Sequence, residues 1–209
     1  MVALPLLVVC CASFALAIDC GLPANRWEKW HWKRSSHRKH NFNRRMFIVG
    51  GTRAPPGAWP WHALIRYRNR VDGKLYACGG SLVSRSFVLT AAHCAIELDE
   101  ANVTLGVVDT TDRDPSMTYK VVDRIVHPEY CSDCAVNLHD IAVIKLSRTV
   151  EFTERHRPIC LPSSALNLPN TTGYVIGFGA YNVGTFIGNV MSTYLQQTVV
   201  PLVDKETCS

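Results

Sequence analysis

The sequence lacks three features, and each absence excludes a class of protein. After residue 17 it has no apolar run long enough to span a bilayer, so no membrane-embedded protein is expected. No segment repeats apolar residues at helical spacing over the length of an ordinary helix, which argues against a helical bundle. From Ile48 onward the net charge is only −1, so the globular part has no positive excess for binding nucleic acid.

Residues 1–17 form an uncharged apolar run that ends in Ala15-Leu16-Ala17. This ending fits a signal-peptidase site, although the usual basic flank before the apolar region is missing. A charged segment follows at once, which disfavours the alternative of a buried N-terminal helix. We therefore predict a signal peptide over residues 1–17 and a secreted, extracellular protein.

Cysteine content agrees with secretion. Removal of residues 1–17 leaves seven of the nine cysteines, which are expected to pair in an oxidising compartment: Cys20, Cys78, Cys94, Cys131, Cys134, Cys160 and Cys208. Because seven is odd, at least one of them lacks a partner within the chain. Two sequons, at Asn102 and Asn170, predict glycosylation.

Residues 18–47 hold the basic charge of the chain. This segment has eight Lys/Arg against Asp19 and Glu28, a net charge of +6, and no apolar periodicity. We interpret it as an extended pro-segment that does not fold alone. Its tryptophans among cations suggest binding of a polyanion, either a glycosaminoglycan or a nucleic acid, but a solvated, cleavable tether is the favoured interpretation.

From Ile48 the chain consists of short apolar, β-rich runs separated by turn residues, and this pattern predicts an all-β barrel or sandwich. Only Val203–Cys208 has the pattern of a short helix. The predicted strands lie within Trp61–Tyr67, Cys78–Ser84, Phe87–His93, Val103–Asp109, Tyr119–His127, Ile141–Leu146, Gly173–Tyr181 and Tyr194–Leu202.

Seven motifs in this part of the chain together resemble the trypsin/chymotrypsin-like serine endopeptidases. Each is modest alone, but they occur in the order of that family. They are IVGG (Ile48–Gly51), WPWHALI (Trp59–Ile65), CGGSLV (Cys78–Val83), VLTAAHC (Val88–Cys94), DIAVIKL (Asp140–Leu146), RPICLP (Arg157–Pro162) and GFGAY (Gly177–Tyr181).

The resemblance implies a double Greek-key β-barrel domain over residues 48–209, with a first barrel at about 48–157 and a partial second barrel at about 158–209. It also implies that His93 is the general base and Asp140 the carboxylate that orients it. Ser81 matches an early strand of the first barrel and is expected to be structural.

The nucleophilic serine is the missing part of this machinery. Relatives carry it in a Gly-Asp-Ser-Gly-Gly turn, and the 209 residues contain no such sequence. The oxyanion hole and the specificity pocket would also lie beyond Ser209. We therefore expect a C-terminally incomplete serine endopeptidase that is inactive as given. The alternative is a non-catalytic homologue that acts as a binding or regulatory module.

Activation and cysteine pairing also follow from the resemblance. Ile48 would become the new N-terminus after cleavage, although Arg45-Met46-Phe47 precedes it where relatives have Arg or Lys. Cys78–Cys94 would close the histidine loop, Cys20–Cys160 would tether the pro-segment, and Cys208 would stay unpaired.

Cys131 and Cys134 are an insertion relative to the family. Zinc or redox roles are possible for a C-x-x-C, but no second ligand pair accompanies it, so a local disulfide is predicted. No metal or cofactor is expected. The expected partners are protein substrates or inhibitors and an activating protease, with neither nucleic acid nor membrane.

Overall fold

The computed structural model describes residues 20–23, 51–70, 72–98, 100–112, 114–134, 138–163, 171–179 and 191–203. This part of the chain is nearly all β, as predicted. Its elements are β1 (Thr52–Arg53), β2 (His62–Arg68), β3 (Leu75–Leu82), β4 (Phe87–Thr90), α1 (Ala92–Ala95), β5 (Asn102–Leu105), a 3-10 turn (Pro115–Met117), β6 (Thr118–Val126), β7 (Ala142–Leu146), β8 (Thr172–Gly177) and β9 (Gln196–Pro201).

Six strands close into an antiparallel barrel in the order β2-β3-β4-β7-β6-β5. The barrel closes because β2 pairs with β3 along one edge and with β5 along the other. Side chains alternate across a strand, so every second residue of β2 enters the interior. There these residues meet apolar side chains of the other five strands, and the buried set includes Ala63, Ile65, Tyr67, Leu82, Val88, Val103, Leu105, Tyr119 and Ile144.

A second sheet has the strand order β1-β9-β8. It packs on the outer face of β2 through a smaller apolar cluster formed by Ala54, Leu64, Val107, Phe178 and Leu195. β1 falls within the range 48–157 assigned to the first barrel, but Thr52 pairs with Gln197 of β9. The start of the domain is therefore part of the second sheet.

The predicted strand Phe87–His93 ends early, at Thr90, and α1 takes its place. The backbone N–H groups of Ala95 and Ile96 donate to the carbonyls of Ala91 and Ala92 at 3.1 Å each. Alanine is the strongest helix former, which favours this turn over three more extended residues. The prediction of strand for the last residues of this segment was wrong, and it is this turn that carries His93.

Two further helical features bear on the predictions. The 3-10 turn at Pro115–Met117 was not predicted from the sequence. It begins where Asp114 accepts a hydrogen bond from the backbone N–H of Ser116. The helix predicted at Val203–Cys208 lies, after its first residue, outside the described residues. In the described ranges no helix is long and apolar enough to cross a bilayer.

His62 is a buried titratable group between the barrel and the second sheet. Its side chain is 3% exposed, its ring meets that of Phe178 at 5.5 Å, and its Nδ1 has no hydrogen-bond partner among the described residues. Burial lowers the pKa of His62 to about 4. The imidazole is therefore neutral in the folded protein at neutral pH.

Acid is expected to destabilise the fold through His62. Above pH 6.5 the imidazole of His62 is neutral in both the folded and the unfolded chain. Between pH 6.5 and pH 4 the unfolded chain binds a proton at His62 that the folded chain does not bind. The free energy of unfolding should then fall as pH falls, by up to about 1.4 kcal/mol per pH unit and about 3 kcal/mol in total. Urea unfolding of the wild type and of His62→Leu from pH 7 to pH 4 measures this contribution. A difference between the two that does not change with pH would contradict it.

Candidate active site

Pairing of β4 with β7 brings together His93 and Asp140, which are 47 residues apart in the chain. β4 ends at Thr90, which pairs with Ala142 at the beginning of β7. His93 follows β4 on α1, and Asp140 comes two residues before β7. The barrel therefore places the two side chains at the same end of neighbouring strands.

Both carboxylate oxygens of Asp140 contact His93. Oδ2 lies 2.7 Å from Nδ1 of the imidazole, and Oδ1 accepts a hydrogen bond from the backbone N–H of His93 at 2.9 Å. These two hydrogen bonds hold the pKa of the Asp140 carboxyl below its usual range, the backbone N–H of His93 contributing most and the imidazole second. Asp140 is therefore a carboxylate at neutral pH, and Nδ1 of His93 carries the proton between them.

The other ring nitrogen of His93 is available for chemistry. With Nδ1 protonated, the lone pair of the neutral imidazole is on Nε2. Nε2 lies 3.3 Å from Sγ of Cys94, and the side chain of His93 is 53% exposed. An imidazole in this state can take a proton from a hydroxyl group, and the carboxylate behind it stabilises the cation that forms. The pair has the geometry of a general base and its orienting group.

A disulfide between Cys78 and Cys94 fastens α1 to β3, with 6.2 Å between the Cα atoms. The two cysteines are separated by 16 positions in the sequence, and a disulfide that closes a loop of that length stabilises the fold by about 3 kcal/mol in the chain-entropy model. The two sulfurs are close enough to His93 to suggest a metal cluster. Because Cys78 and Cys94 are bonded to each other they offer no thiolate, so we assign this disulfide a structural role and propose no metal site with His93.

Two other cysteine pairs named in the sequence analysis also form disulfides. Cys20–Cys160, with Cα atoms 4.9 Å apart, joins residues 20–23 to the segment after β7. Cys131–Cys134, with Cα atoms 5.6 Å apart, closes a small loop between β6 and β7.

The remaining predicted residues are distributed as follows. Asn102 is exposed at the first position of β5, and Ser81 lies in β3, where it pairs with Leu89 of β4. Ile48, Asn170 and Cys208 lie outside the described residues, as do the signal peptide and the basic segment apart from residues 20–23.

Near Asp140 the structure brings together three ligand-type side chains that were not predicted from the sequence. They are His127, Glu129 and His139, and one potential ligand atom of each lies within 4.8 Å of the other two. In the sequence they flank the C-x-x-C on both sides. This arrangement of His and Glu around the two cysteines is visible in the sequence. Only the folded loop, however, shows that the side chains before and after the cysteines come together.

Comparison with known proteins identifies relatives that match about three quarters of this chain. The sequence model of the family described as Trypsin matches residues 48–209. Phenoloxidase-activating factor 1 of Holotrichia diomphalia is 33% identical over 183 residues, which are 78% of this chain and 48% of that protein. Venom serine protease Bi-VSP of Bombus ignitus is 39% identical over 163 residues, which are 74% of this chain and 44% of that protein. The chain thus spans about half the length of these relatives.

Solved structures show the same similarity. The structure described as "Structure of GrC" superposes with a TM-score of 0.66 at 30% identity, over 76% of this chain and 67% of that one. The HL collagenase structure superposes with a TM-score of 0.66 at 29% identity, over 77% of this chain and 66% of that one.

Proposed function

Because the chain belongs to the trypsin-like serine protease family, we propose that His93 and Asp140 are the base and the orienting carboxylate of a secreted serine endopeptidase. The observation that carries this proposal is the two-point contact of Asp140 with Nδ1 and the backbone N–H of His93. It leaves Nε2 as the proton acceptor, as hydrolysis of a peptide bond by a serine requires.

In this mechanism Nε2 of His93 takes the proton of the attacking serine hydroxyl and later returns it to the leaving amine. Asp140 keeps the imidazole in the tautomer that can accept this proton and stabilises the imidazolium. The disulfides of the described residues support passage through an oxidising compartment, because such bridges persist outside the cytosol. Cleavage before Ile48 by another protease is the activation step that we propose.

The 209 residues by themselves are proposed not to hydrolyse peptide bonds, because they contain no Gly-Asp-Ser-Gly-Gly. A nucleophile and the donors of an oxyanion hole are both needed, and loss of one such donor alone costs about 3–4 kcal/mol of transition-state stabilisation. Without a nucleophile and these donors, His93 and Asp140 are not expected to catalyse acyl transfer.

A covalent probe tests this prediction. The secreted 209-residue chain, treated with an activating protease, is expected to form no adduct with a fluorophosphonate, as measured by intact mass. An adduct that is lost in His93→Ala would refute the prediction. Sequencing of transcripts past the codon for Ser209 then separates two forms of the proposal. An in-frame Gly-Asp-Ser-Gly-Gly supports the endopeptidase, whereas a stop codon supports the non-catalytic module.

A further inference from the structure

Two imidazoles and a carboxylate meet at the loop between β6 and β7. The rings of His127 and His139 stack with their centroids 4.7 Å apart and their planes 9° from parallel. Nε2 of His139 lies 3.9 Å from Oε2 of Glu129. One ligand atom of each side chain is within 4.8 Å of the others, which is the separation expected of groups that could share one ion after small rotations.

The loop that carries these groups is closed at three points. The backbone N–H of His127 donates to the carbonyl of Ile141 at 3.1 Å, and that of Cys131 donates to the carbonyl of Leu138 at 3.2 Å. The Cys131–Cys134 disulfide closes the turn between them. The side chains are therefore gathered before any ligand arrives, which reduces the ordering entropy that binding must overcome.

His139 has an unusual backbone conformation. Its φ is 54°, in the left-handed region that non-glycine residues seldom adopt, although histidine is enriched there. Conformations of this kind persist where the surrounding structure imposes them, and they cluster at functional sites. The side chains of His139 and Glu129 are 48% and 72% exposed, so an ion can reach them from solvent.

We propose that His127, Glu129 and His139 bind a divalent transition-metal ion of the zinc type, a site that the sequence analysis did not expect. Two imidazoles and one carboxylate, with a fourth position left for water, are a common zinc ligand set. Calcium and magnesium prefer sites made of oxygen atoms alone.

Metal binding changes one hydrogen bond in the loop. Nδ1 of His127 accepts the backbone N–H of Glu129 at 3.2 Å. A neutral imidazole has a single nitrogen lone pair, so the metal takes the lone pair that this hydrogen bond uses. The bond is long, and the freed N–H is on an exposed residue that water can reach.

Titration calorimetry of the secreted chain with zinc chloride tests the site. One zinc ion is expected per chain, while calcium chloride at the same concentration gives no binding heat. His139→Asn removes the imidazole but keeps a residue that tolerates a left-handed backbone. His127→Asn keeps an acceptor for the Glu129 amide. Each is expected to weaken zinc binding at least about 10-fold.

Matched variants distinguish this site from other zinc ligands on the chain. Glu129→Gln is expected to weaken binding, whereas Glu154→Gln, at an exposed carboxylate outside the loop, and His93→Ala are expected to leave it unchanged. Wild-type zinc affinity in the Glu129, His127 and His139 variants would overturn the proposal, as would loss of binding in His93→Ala alone. Since Glu129 is exposed, its variant tests the site even if a histidine variant fails to fold.

Discussion

Replacement of Asp140 by asparagine, in a protein that also carries the attacking serine, is expected to lower kcat about 10⁴-fold, the loss known for the corresponding exchange in this family's catalytic triad. The contacts of this chain explain why. Oδ1 of Asp140 accepts the backbone N–H of His93, so the carbonyl oxygen of an asparagine must take that position. Its NH₂ group then faces Nδ1 and donates to it. His93 is left with its proton on Nε2 and cannot accept another from the serine.

The tautomer change can be measured in the 209-residue chain itself. Ring ¹⁵N shifts of His93 should report a proton on Nδ1 in the wild type and on Nε2 in Asp140→Asn. Asp133→Asn is the matched control, because Asp133 is an exposed carboxylate in the same loop, and it should change neither the tautomer nor kcat. A proton that stays on Nδ1 in Asp140→Asn, or a fall in kcat of less than tenfold, would contradict the assignment.

Gly106→Ala is expected to lower the free energy of unfolding by about 2–5 kcal/mol. Gly106 follows β5 with a φ of +64°, and a Cβ built there lies 2.6 Å from the carbonyl oxygen of Arg155 and 2.9 Å from Cδ2 of His156. The left-handed backbone costs an alanine about 1–2 kcal/mol. Displacing the backbone around Arg155 adds about 1–3 kcal/mol, as is usual for overpacking.

Gly73→Ala is the control that separates these two costs. Gly73 has a φ of +67°, but nothing lies within 4 Å of a Cβ built there. Gly73→Ala should therefore lower the free energy of unfolding only by the cost of the left-handed backbone, about 1–2 kcal/mol. Urea unfolding of both variants measures the difference. Equal losses in the two would show that the close approach to Arg155 carries no energetic weight.

Much of the barrel could be predicted from local patterns. Short apolar, β-rich runs bounded by turn residues marked β2, β5 and β7, because such runs are typical of strands with a buried face. The pattern failed at the end of β4. There the apolar run continues into Ala91 and Ala92, and small apolar residues are compatible with a helical turn as well as with a strand.

His93 and Asp140 were predicted from motifs and not from periodicity. VLTAAHC and DIAVIKL are short segments, and each is compatible with a structural histidine or a strand-capping aspartate. Only their combination, in order, with the other motifs predicted a shared role. The structure adds the contact between Asp140 and the backbone of His93, which no motif contains.

The sequence alone determined the all-β class, the cysteines available for bridging and the residue types of the His93–Asp140 pair, because these depend on composition and local order. The tertiary structure decided that β1 belongs to the second sheet, that Gly106 lies against Arg155, and that His127 and His139 stack beside Asp140. The physical reason is that each of these depends on which strands become neighbours when the sheets form and the barrel closes. Closure of the barrel brings together residues that are far apart in the sequence, and no local periodic pattern encodes such contacts.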